Sequence, residues 1–181
     1  MLDDPWVTIP PVLGIIIILF ILFPQLRIWE GKRSSIKMTV GENGPYFDTA
    51  GRLYDIRRTF NLELENIDPI KPFSNCVVEI TSIIPKPGPY KAPWPLCDGI
   101  SLAAGNHVFV QLATYYEARD PSKFDCAGDS ITMATPNERL LLDIGKEYTV
   151  AIRATSPETA PCDFQCMIWV DDKGQLRIEE D

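Results

Sequence analysis

Residues 12–23, VLGIIIILFILF, form an unbroken apolar run of twelve residues. A helix in a globular core keeps a polar stripe for the solvent, and this run has none. Twelve residues are too few to cross a bilayer, which takes roughly 20 at 1.5 Å each. Extension from Trp6 to Trp29 gives 24 residues, broken only by Thr8, Gln25 and Arg27. As a helix that stretch is about 35 Å long. Trp6 and Trp29 then fall at the two water interfaces, where indole rings sit best. Pro10 and Pro11 suit a first helical turn, Pro24 bends or ends the helix, and Arg27 can reach the headgroups. A cleaved signal peptide is the main alternative. It calls for a basic start and a small-residue cleavage site, whereas this chain begins MLDDPW and continues through FPQLRIWEG. The expectation is a retained single-pass anchor over 6–29, after a short tail at 1–5.

Charge sets the expected orientation. Arg27, Lys32 and Arg33 follow the apolar run, and no Lys or Arg precedes it. Basic flanks stay in the cytoplasm, so the expected arrangement has the N-terminus outside and the C-terminal part cytoplasmic. The alternative is an exported C-terminal part. Trp6, Trp29, Arg27, Lys32 and Arg33 are the expected contacts with the lipid bilayer. From residue 38 onward, 13 basic residues face 22 acidic ones. Such a domain is a poor binder of nucleic-acid phosphates.

Beyond a basic link and first strand at 30–49, the chain alternates with the period of strands. In RRTFNLELENID, Phe60, Leu62 and Leu64 oppose Asn61, Glu63 and Glu65. In NCVVEITSII, Cys76, Val78 and Ile80 share a face. In NHVFVQLATYYEA, Val108, Val110 and Leu112 oppose Phe109, Gln111 and Ala113. DSITMAT is weaker. KEYTVAIRATS alternates through Tyr148, Val150 and Ile152, and DFQCMIWVDDKGQLRIEE reads as a hairpin with a turn at DDKG. ENGP and DTAG read as turns, and 85–95 as a proline-rich excursion without regular period. About seven such strands predict an all-β, antiparallel sandwich over 50–181.

The segment LLLDIGKEYTV resembles the tyrosine corner of the immunoglobulin superfamily, with Asp143, Gly145 and Tyr148 in its places. One extra residue separates Gly145 from Tyr148, and Val150 stands where antibody domains have a cysteine. The resemblance therefore points to disulfide-independent immunoglobulin-like or fibronectin-type modules. It implies an immunoglobulin-like fold in which the Tyr148 hydroxyl bonds back to the preceding turn. It implies no particular function, since such modules share architecture across many roles.

No catalytic or cofactor motif emerges. Cys162 and Cys166 lie about 13 Å apart on a strand, no C-x2-C pair exists, and His107 is the only histidine, which argues against zinc. Cys76 and Cys166 read as core. Cys97 and Cys126 read as loop residues that could bridge in an exported domain, with Cys76–Cys166 as a second bridge. A hydrolase would have to be built on His107. No cofactor or small-molecule substrate is evident. Tyr90, Lys91 and Trp94, set among prolines, are the expected partner contacts, because a stiff loop loses little entropy on docking. Alternatively, Trp94 and Leu96 fold back over one end of the sandwich. The functional expectation is a membrane-anchored, non-enzymatic binding or scaffold module with a protein partner. An exported disulfide-bearing module and a structural subunit of a membrane or phage assembly are the alternatives.

Overall fold

The computed structural model describes residues 34–51, 55–88, 91–118, 130–135 and 140–181. The expected anchor at 6–29 lies outside them, with Trp6, Arg27, Trp29, Lys32 and Arg33. Among the described residues, no helix is long and apolar enough to cross a membrane. One compact unit runs from Ser34 to Asp181.

The described part is all-β, in two antiparallel sheets. The strands are β1 (Ile36–Thr39), β2 (Phe47–Gly51), β3 (Asp55–Asn66), β4 (Phe73–Ile84), β5 (Trp94–Leu102) and β6 (His107–Ala118). After them come β7 (Ser130–Met133), β8 (Leu140–Asp143), β9 (Tyr148–Ser156), β10 (Thr159–Val170) and β11 (Leu176–Glu180). Sheet A has the order β1-β3-β6-β7-β8, with β2 also on β3; sheet B has the order β11-β10-β9-β4-β5. Their inward faces form one hydrophobic core, in which Phe60, Phe73, Leu112, Ile131 and Tyr148 are fully enclosed.

Alternation holds where pairing is regular. Phe60, Leu62 and Leu64 face inward from β3. So do Tyr148, Val150 and Ile152 from β9, and Cys166, Ile168, Leu176 and Ile178 from the β10–β11 hairpin. The two segments that read as non-strand differ. DTAG is paired, because β2 lies along β3 from Phe47 opposite Phe60 to Gly51 opposite Ile56. The proline-rich stretch becomes β5 at Trp94, whose indole is buried at 4 % exposure with Leu96 at 5 %. Edge strands tolerate prolines that a central strand cannot, and β5 is an edge.

Bulges explain the departures from strict alternation. On β6, Ala113 pairs with Phe60 and Gln111 with Asn61, so Leu112 is an extra residue. A bulge advances the phase by one. Leu112 and Ala113 both point inward, and Tyr115 and Glu117 follow them into the interior. On β4, Ile80 pairs with Ile152 and Ser82 with Ala151, so Thr81 is the extra residue. Ile83 then joins the core, although plain alternation from Ile80 assigns it to the other face. The β4–β5 pairing shifts around Gly99, whose φ of 73° suits a residue without Cβ.

The turn from β8 into β9 has the bond implied by the tyrosine-corner resemblance. The Asp143 backbone N–H donates to the Tyr148 hydroxyl at 3.1 Å, and Gly145 takes φ 80° between them.

Candidate functional site

The outer face of sheet A carries a concavity of about 530 Å³. It is built by register. Arg57 on β3 lies directly opposite Tyr116 on β6, and Thr59 lies opposite Thr114. Thr114 in turn faces Thr132 on β7. Opposed residues in an antiparallel pair project to the same side, so these side chains form two adjacent rows across three strands. Gln111 and Ser130 complete the polar lining, and Leu141 on β8 supplies an apolar edge. Among the described residues, no carboxylate lines it.

The floor is ordered by hydrogen bonds. Gln111 donates from Nε2 to Thr114 Oγ1 at 2.8 Å, and Thr114 and Thr59 share a hydroxyl contact of 3.3 Å. Thr59 and Thr114 are 7 % and 8 % exposed, while Tyr116 stands out at 41 %. Arg57 is exposed. Arg58, Arg153 and Arg177 each meet a carboxylate; Arg57 meets none among the described residues.

Sequence reasoning missed this site. Alternation continued from Val108, Val110 and Leu112 sends Thr114 and Tyr116 into the core. The available signal was the doublet Leu112–Ala113, two apolar residues in succession where one face should be polar.

The expected contact residues separate. Tyr90 lies outside the described residues. Lys91 is exposed. Trp94 is inside the core, so the fold-back alternative describes its position, and among the described residues its Nε1 has no acceptor. His107 lies 3.9 Å from Glu63, which also accepts a bond from the Tyr46 hydroxyl at 2.6 Å. The Phe109 ring meets both the Tyr46 and His107 rings edge-on. That cluster holds the 41–46 turn against sheet A. The bond to Glu63 is the main cause that raises the Tyr46 phenol above its ordinary pKa.

Cys76, Cys97, Cys162 and Cys166 are free thiols, and Cys126 lies outside the described residues. The second bridge of the exported alternative, Cys76–Cys166, is ruled out by topology. These residues sit on β4 and β10 with β9 between them. Two strand spacings are about 9.5 Å, beyond the Cα separation a disulfide spans. Burial pushes the Cys97 thiol up to about 11 and Cys166 up to about 12. Among the described residues no three His, Cys, Asp or Glu side chains gather as a metal site. No family model, curated protein or solved structure matches the chain.

Proposed function

We propose that the chain is a membrane-anchored, non-enzymatic, immunoglobulin-like binding module whose recognition surface is the outer face of sheet A. The strand order supports the immunoglobulin-like part. β1, β3 and β6 occupy the A, B and E places of that fold, and β5, β4, β9 and β10 the C′, C, F and G places. Tyr148 opens the strand in the F place, where a tyrosine corner belongs. The observation that carries the binding reading is the concavity itself. Its volume of about 530 Å³ lies in the range of small-ligand sites, and hydrogen bonds order its floor.

The anchor reading rests on the apolar run and its flanking tryptophans. It places the N-terminus outside and the module in the cytoplasm, the side favoured by Arg27, Lys32 and Arg33. The folded unit starts with Ser35 bonded to Thr159 and Ile67. That same end exposes Ile67 and Ile70 at 52 % and 86 %. Exposed apolar side chains at that end support a lipid-facing role for it. A protein partner has the opposite end available, where Lys91 is exposed.

Alkaline carbonate extraction tests the anchor: the full chain stays in the membrane pellet, and its release into the supernatant overturns the reading. Orientation needs a better probe than Cys97, whose raised pKa slows labelling. The variant Lys91→Cys supplies an exposed thiol. It should resist an impermeant maleimide in intact cells and react after permeabilisation; labelling from outside moves the module to the exterior.

A further inference from the structure

We propose that the concavity on sheet A binds a sugar carrying a single carboxylate, such as a hexuronate unit. The inference rests on the binding-module reading and names the ligand of that site. The first ground is the lining. Gln111, Thr114, Tyr116, Ser130 and Thr132 all present hydroxyl or amide groups. A polyol matches such a surface, because those of its groups that face solvent can exchange water for a ligand hydroxyl at little net cost. Gln111 uses Nε2 on Thr114, which leaves its Oε1 to accept from a ligand.

The second ground is the ring. Tyr116 is an exposed aromatic on an otherwise polar floor, which provides a flat apolar platform. The C–H face of a pyranose fits that platform while its hydroxyls reach the flanking rows.

The third ground is charge. The chain carries a net charge of −8, yet Arg57 stands on the rim without a carboxylate among the described residues. A guanidinium pairs with a carboxylate through two parallel hydrogen bonds. Arg57 is directly opposite Tyr116 in the register, so an anion held by Arg57 sits beside the ring. One cation among the described lining residues suits a monoanion. A polyphosphate would need several more, which disfavours a nucleotide.

The experiment uses the full chain in detergent micelles. Titration calorimetry and saturation-transfer NMR compare methyl galacturonoside, which carries one carboxylate, the neutral methyl galactoside, acetate and inorganic phosphate. Methyl galacturonoside should bind, with the neutral sugar at least about tenfold weaker. Arg57→Gln should remove that preference, and Tyr116→Ala should weaken both sugars. Both side chains are exposed, so an unchanged thermal melt verifies that the variants fold. Binding of methyl galacturonoside no tighter than that of acetate or phosphate overturns the proposal, as does equal binding of neutral and acidic sugars. Absence of saccharide binding at about 10 mM, far above the weakest useful affinity, also overturns it. Carbonate extraction reads the anchor without reference to any ligand, so the two readings fail separately.

Discussion

Strands β3 and β6 are each twelve residues long and pair with one another along their length, yet their sequences obey different rules. β3 keeps one phase: Arg58, Phe60, Leu62 and Leu64 all project to the interior side, and Arg57, Thr59, Asn61 and Glu63 to the other. β6 changes phase at Leu112. Before the bulge Val110 points inward; after it Ala113, Tyr115 and Glu117 do. That single residue decides which side chains build the core and which build the candidate site. With Leu112 kept in plain alternation and no bulge, Thr114 and Tyr116 would be buried, and Glu117 would face water.

The phase change has an energetic partner on β3. Glu117, 4 % exposed, forms an ion pair with Arg58. It also accepts the Leu176 backbone N–H at 2.9 Å, which ties sheet A to the first residue of β11 in sheet B. The Arg58 guanidinium lies 4.5 Å over the Phe47 ring. An inward acid on β6 is therefore matched by an inward base on β3, as a buried charge requires.

The strongest way to break the contrast is to remove its cause. Deletion of Leu112 removes the extra residue, so that Ala113 follows Gln111 in plain alternation and Tyr115 and Glu117 keep their inward side. The expected outcome is a chain that still melts cooperatively and keeps its near-ultraviolet circular dichroism, destabilised by about 5 kcal/mol for the lost core leucine. Loss of the cooperative transition would show that Leu112 is not a surplus residue of the pairing. Next in size, Glu117→Ala strands the Arg58 charge and the Leu176 amide. Chemical denaturation should show a loss of about 3–5 kcal/mol, and Glu117→Gln, which keeps an acceptor for the amide, a smaller one.

The smallest effect lies where β3 hands over to β4, a junction held by polar clamps rather than by phase. Asn66 donates to the Lys71 carbonyl at 2.8 Å and accepts from Asp68, and Asp68 caps the amides of Ile70 and Lys71. Glu158 accepts from Ser156 and from Ser74 near the start of β4. Those hydroxyl bonds hold its carboxyl down to about 2 from an ordinary 4.5. A carboxyl depressed by folding stabilises above its unfolded pKa, and that contribution fades as pH falls from 4.5 toward 2. Glu158→Gln should flatten stability against pH in that window and leave its shape at pH 7 to 9 unchanged. An unaltered acid limb would mean the clamp contributes nothing.

Much of the core was legible in the sequence. Strand period alone assigns Phe60, Leu62 and Leu64, the inward face of β9, and the β10–β11 hairpin, because a half-buried strand must alternate. The Tyr148 contact was legible as well, since a short turn brings the hydroxyl back to a nearby amide. The site was not. Arg57, Thr114, Tyr116 and Thr132 are ordinary polar strand residues until pairing aligns them.

The sequence by itself determined that most of the described residues after Ser34 form strands, and which side of each regular strand is apolar. Only the tertiary structure decided which strands lie together, where the extra residue falls, and so which face of β6 meets water. The reason is physical. Side-chain alternation is a property of one extended chain, whereas a bulge exists only against a partner strand whose hydrogen bonds leave one residue over.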